Sequence, residues 1–152
     1  MALGTLGTTR VQDHLKRPGG EATSASQTQF GMGTHLLVEM WQSPFPTLAD
    51  ARVIEQALGR AGVDHTGLCD NASTDVRVHQ FSPYGVSGTA SSPYAQILIH
   101  TWPENKYAAI DIYARGRESA YQVLEQMKRD LKPGYVHVLE LQRGNLMEME
   151  DT

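Results

Sequence analysis

The chain has 152 residues, 40% of them hydrophobic and 20% charged, enough for one globular domain with a core of its own. A net charge of −4, with lysines and arginines scattered along the chain, gives no electrostatic case for nucleic-acid binding. The single cysteine, Cys69, excludes an internal disulfide and suits a reducing cytoplasm, and no apolar run approaches the roughly 20 residues that a bilayer span requires.

Residues 1–32 have few large apolar groups and no sustained period, the composition of an extended N-terminal arm that cannot fold alone. Thr34 to Trp41 alternates and predicts the first strand, in which His35 is expected as a packed or edge histidine. After Ser43-Pro44-Phe45-Pro46, Thr47 with Asp50 three residues on predicts a capping box opening a helix. Its apolar stripe runs through Leu48, Ala51, Ile54, Ala57, Leu58 and Ala61 until Gly62. Residues 63–74 predict a loop or short strand, and the alternation from Val76 to Phe81 a second strand.

Residues 79–116 hold the chemistry-bearing motifs: a Pro-Tyr-Gly turn, a Gly-Val-Ser-Gly loop, and an apolar strand ending in His100-Thr101-Trp102-Pro103-Glu104. A further alternating strand, Tyr107 to Tyr113, completes a hairpin. Glu118 to Leu131 is amphipathic with helical period and is stopped by Lys132-Pro133-Gly134, Tyr135 to Leu141 predicts the last strand, and residues 145–152 an acidic, solvated tail. This order predicts an α+β two-layer sandwich, a mostly antiparallel sheet with two helices on one face. The other face then requires a cover, either a second copy or a foreign partner. The six histidines (14, 35, 65, 79, 100, 137) show no metal-ligand spacing, so no metal is expected.

The motif stretch resembles the prokaryotic pyruvoyl-dependent S-adenosylmethionine decarboxylases. Phe81, Pro83 to Gly88, Ile99 to Glu104, Tyr107 to Asp111 and Gly116 match that family in type, order and spacing. A weaker match runs from Gly33 to Gly144, which implies the decarboxylase fold over 33–144. By the same resemblance Ser87 and His100 stand at positions that assist self-processing, Glu104 stands near the substrate, and Phe81 is a candidate for stacking on a nucleoside.

The family's Glu-Ser-His triplet falls on Tyr94, Ala95 and Gln96, and its proton-donating cysteine on Arg115. In the family the serine hydroxyl attacks the preceding carbonyl and leaves a pyruvoyl group, the electron sink for decarboxylation. An alanine methyl has no oxygen to attack with, and a guanidinium does not cycle a proton. Ser91 and Ser92 lie upstream and out of step with the strand. Tyr94 and Arg115 are also residue types favoured in interfaces, and both are large enough to fill a former cavity. The expectation is therefore a chain with no pyruvoyl cofactor and no catalysis: an accessory subunit of a larger assembly, soluble or docked on a membrane complex, tethered by residues 1–32 and the exposed sheet face. The alternatives are a regulatory inactive paralogue of an active decarboxylase in polyamine synthesis, a binding module for S-adenosylmethionine or a nucleoside, and last an active enzyme by an unfamiliar route.

Overall fold

A computed structural model describes residues 10–12, 32–63 and 74–144. Most of the arm, the tail 145–152, Cys69 and the connection at 64–73 lie outside the described residues, as do His14 and His65.

Among the described residues, seven strands form one antiparallel sheet: β1 (Arg10–Gln12), β2 (Gly33–Trp41), β3 (Asp75–Gln80), β4 (Val86–Ser91), β5 (Ala95–Trp102), β6 (Tyr107–Ala114) and β7 (Tyr135–Arg143). Their spatial order is β1-β7-β2-β6-β5-β4-β3. A single helical turn, α1 (Phe45–Leu48), precedes two longer helices, α2 (Ala51–Ala61) and α3 (Arg117–Leu131). The α+β sandwich with its antiparallel sheet is thus the observed fold.

Strand period explains the layering, because successive side chains leave opposite faces. Leu36, Val38 and Met40 of β2, Ile97 and Ile99 of β5, and Ile110 and Ile112 of β6 all point to one face and are buried there. Ile54 and Leu58 of α2 and Leu124 and Met127 of α3 close the same core. Burying each such side chain contributes on the order of 1.5–3 kcal/mol, so this face holds the layers together. Large side chains stay exposed along the sheet, among them Trp41 (42%), Leu98 (37%), Trp102 (41%) and Tyr135 (50%).

Two local expectations are corrected. The helix does not open at Thr47. The turn α1 ends at Leu48, and α2 begins at Ala51 with Asp50 as its N-cap, whose carboxylate accepts the Arg52 N–H at 2.9 Å. One side-chain acceptor at the true cap outweighs the Thr47 pattern because it satisfies an otherwise orphan donor. The Gly-Val-Ser-Gly segment is not a loop either, since Val86–Ser91 is strand β4, paired with β3 and β5. Gly88 is required there by packing: a Cβ would stand 2.7 Å from Leu58 Cδ1 and 3.0 Å from Val78 Cγ1. The turn before it needs Gly85, at φ +84°, whose carbonyl accepts Phe81 N–H at 2.9 Å.

Candidate functional site

The motif residues fall into two groups at opposite ends of β5. At one end, Ser87 and His100 are register partners across β4 and β5. Thr101, beside His100, is buried, and its hydroxyl donates to the Leu48 carbonyl while accepting Val86 N–H, both at 2.8 Å. These two hydrogen bonds fix the start of β4, and with it Ser87, against the end of β5. Glu104 lies in the 3₁₀ turn Pro103–Asn105 that follows. Phe81 is half exposed just past β3 and meets the His79 ring edge-on at 4.5 Å.

Beside this end runs an aromatic ladder. Tyr107 stacks on Trp41 (4.3 Å) and on Trp102 (5.4 Å), as the pairing of β2, β6 and β5 dictates. Its hydroxyl donates to the Glu39 carboxylate. Burial, then the hydrogen bond and negative charge of Glu39, push the Tyr107 phenol up to about 12.

At the other end stand Ala95, Gln96 and Arg115. Ala95 opens β5 on the buried side, 4% exposed, opposite Ala114. Gln96 points to the other face and is exposed. Tyr94 is buried, with its hydroxyl donating to the carbonyls of Ala61 and Val63 at the end of α2. Ser92 Oγ is turned onto Ala95, accepting its N–H at 3.2 Å and donating to its carbonyl at 3.1 Å. A cleft of about 230 Å³ opens here, lined by residues 92–96 together with Tyr113 and Arg115.

His100 lies five steps along the strand from Ala95, about 17 Å at the rise of an antiparallel strand, and their side chains leave opposite faces. Within one chain, therefore, Ser87 and His100 do not meet position 95. A pair that sequence reasoning missed lies between the two ends: His35 Nε2 sits 3.1 Å from Asp111 Oδ1, and the His35 ring packs edge-on to Tyr113. Both occupy the outward phase of adjacent strands, β2 and β6, but only the register Leu37↔Asp111 and His35↔Tyr113 shows that they are neighbours. His35 is thus a paired histidine, not merely a packed one. Among the described residues no group of three or more His, Cys, Asp and Glu is arranged to hold a metal.

The sequence model for "S-adenosylmethionine decarboxylase" matches residues 34–144. The chain belongs to the S-adenosylmethionine decarboxylase family. It is 33% identical over 121 residues to a Methanococcus maripaludis protein named S-adenosylmethionine decarboxylase proenzyme, covering 79% of this chain and 95% of the relative. A Thermotoga maritima protein of the same name is 36% identical over 119 residues, 78% of this chain and 88% of that one. The crystal structure of the adenosylmethionine decarboxylase from Aquifex aeolicus superposes with a TM-score of 0.68 at 25% identity, covering 80% of this chain and 98% of the other.

These matches overturn the expectation of a non-enzymatic accessory subunit, and the description of the chain as a pseudoenzyme with it. Relatives matched over most of their length carry an enzyme's name, and the regulatory alternative gains no support from them. The expectation rests on two positions, 95 and 115, while the match extends over residues 34–144. No helix among the described residues is long and apolar enough to cross a membrane, and docking on a membrane complex has no support.

The pyruvoyl group implied by the family resemblance needs a precursor hydroxyl. Ala95 presents a methyl group turned into the core, and the nearest hydroxyl, that of Ser92, is committed to the Ala95 backbone. The residues present at position 95 do not fit that group.

Proposed function

We propose that the protein is an enzyme of the S-adenosylmethionine decarboxylase class, with S-adenosylmethionine as the compound it binds and polyamine synthesis as its setting. The observation that carries this reading is the family match across residues 34–144. The juxtaposition of Ser87 with His100, and the position of Glu104 in the next turn, support it. Phe81, exposed at the same end of the sheet, offers a flat face to a purine. Decarboxylation leaves an electron pair on carbon that must be delocalised into a sink. Residue 95 cannot make that sink from its own side chain, so no pyruvoyl group is expected there, and the reaction needs a carbonyl compound from outside the chain to condense with the substrate amine and take the pair.

The exposed sheet face suits a second copy of the chain. Trp41, Leu98, Trp102 and Tyr135 on it are large apolar groups that gain by leaving water. A cytoplasmic homodimer is the form we assign to the working protein.

The test is incubation of the full chain with carboxyl-labelled S-adenosylmethionine, reading bound ligand and trapped carbon dioxide separately. Saturable binding, with release of labelled carbon dioxide when a carbonyl compound is supplied as the sink, is the expected result. Binding without release would keep the ligand and refute the reaction, and a chain that does neither would refute the proposal.

A further inference from the structure

The cleft at the start of β5 has a charge that the family resemblance does not account for. Arg115 lies just beyond β6 and is exposed, and its guanidinium makes no ion pair with any carboxylate among the described residues. Other arginines are engaged: Arg60 with Asp130, Arg77 with Asp75, and Arg117 with Glu140. No acid lines the Arg115 cleft, where the other polar side chains are Ser92 and Gln96, and Tyr113 lines it with its hydroxyl leaning over Gly33 of β2.

The floor beneath Arg115 is held in place. Its backbone N–H donates to the Tyr94 carbonyl at 3.4 Å, and Tyr94 is fastened through its hydroxyl to the end of α2. Ser92 is spent on the Ala95 backbone, which leaves Arg115 and Gln96 to meet a ligand, with Tyr113 as a wall. A guanidinium presents a planar fork of donors that matches a carboxylate with two parallel hydrogen bonds. One cation with one neutral amide donor suits a single negative charge. A phosphate dianion would call for a second cation or a nest of backbone N–H groups, and the lining holds neither.

Size narrows the ligand further. At about 230 Å³ the cleft is smaller than the roughly 300–1,000 Å³ of sites that enclose a whole small molecule. It therefore takes one end of a ligand and leaves the rest along the sheet. The adjoining cleft, about 350 Å³, shares Gln96 and Tyr113 with it and carries the His35–Asp111 pair. A positive group extending from the carboxylate meets an acid there.

We propose that Arg115 binds the carboxylate of an amino-acid ligand, with Gln96 as a second donor, Tyr113 as a wall and Asp111 facing the ligand's positive end. This builds on the reading of S-adenosylmethionine as the compound bound, whose amino-acid end has this chemistry; since about 17 Å of β5 separates the two ends within one chain, the Phe81 that meets its purine is that of the second copy. A guanidinium on the carboxylate holds the ground state, so Arg115 is a binding residue whose loss raises the dissociation constant.

The experiment is calorimetric titration of the full chain and of Arg115→Ala and Arg115→Lys with four probes. These are S-adenosylmethionine, L-methionine, methylthioadenosine (which lacks the carboxylate) and inorganic phosphate. Thermal unfolding of each variant checks that it remains folded. A charged hydrogen-bonded pair of this kind predicts a loss of about 10- to 100-fold for S-adenosylmethionine and L-methionine in Arg115→Ala, with methylthioadenosine unchanged. Arg115→Lys should recover only part of it, because an ammonium cannot form the fork. Equal binding of carboxylate ligands to Arg115→Ala and to the parent chain would overturn the proposal, as would phosphate binding as tightly as L-methionine through Arg115. If L-methionine binds through Arg115 while S-adenosylmethionine does not bind, the carboxylate site stands and the substrate reading falls. If S-adenosylmethionine binds and Arg115 is indifferent, the reverse holds.

Discussion

Replacing Thr101 by valine keeps the volume of a β-branched side chain and removes one oxygen. That oxygen is buried, 6% exposed at residue level, and makes two hydrogen bonds of 2.8 Å, one to the Leu48 carbonyl and one from Val86 N–H. Valine leaves both backbone groups buried without these partners, and each such group costs about 1–3 kcal/mol. The sum after partial relaxation is about 2–4 kcal/mol, equivalent to a fall in Tm of about 5–15 °C for a chain of this size. Thr101→Ser keeps the oxygen and loses one methyl, about 1 kcal/mol. Urea unfolding followed by the fluorescence of Trp41 and Trp102, both on the sheet, measures the two variants on one scale. Valine should be worse than serine by more than 1 kcal/mol, with an unchanged denaturant slope. Because the same hydroxyl holds Val86 next to Ser87, the valine variant should also lose affinity for S-adenosylmethionine. A valine variant within about 0.5 kcal/mol of the parent would refute the assignment of Thr101 as the bolt between α1, β4 and β5.

Gly88→Ala should destabilise the fold by about 1–3 kcal/mol by pressing on Leu58 and Val78, whereas Gly59→Ala, with open space around it, should not; thermal melts compare them. Ultraviolet titration of the phenols should show Tyr107 and Tyr121 ionising near pH 12, later than an ordinary tyrosine at 10, burial being the first cause in both. Their phenols are raised on folding, so they contribute stability below pH 10 that is lost between about 10 and 12, and Glu39→Gln should bring Tyr107 down. The Glu140 carboxyl moves the other way: burial raises it, but hydrogen bonds from Tyr121 and Arg117 and the Arg117 charge prevail and hold it below 4.5. A depressed carboxyl gives stability that is present above its unfolded value and lost as the pH falls through its folded one. Stability measured against pH on the acid side should therefore be flatter in Glu140→Gln, and an identical acid limb would refute this role.

The strands with one buried face were legible in the chain because alternation of period 2 is written directly into residues such as Leu36, Val38 and Met40, or Ile97 and Ile99. Helix α3 was legible for the same reason at period 3.6. Strand β4 was not. Its Val-Ser-Gly-Thr-Ala-Ser composition has weak strand propensity, and only pairing on both edges, with α2 pressed onto Gly88, makes it a strand. The start of α2 was misplaced because Thr47 and Asp50 are both good caps, and which one is used depends on where α1 ends.

The sequence by itself determined that residue 95 carries no hydroxyl and residue 115 carries a permanent charge, since side-chain chemistry needs no neighbours to be known. It also carried the motif order that reveals the family. Distance was decided by tertiary structure alone. Strand pairing set Ser87 beside His100, joined His35 to Asp111, and put about 17 Å of β5 and a change of sheet face between His100 and Ala95. It also left Arg115 without a described acid at the mouth of a small cleft. The physical reason is that spacing along a chain fixes which face a side chain takes, whereas its partners depend on strand register, which long-range packing selects.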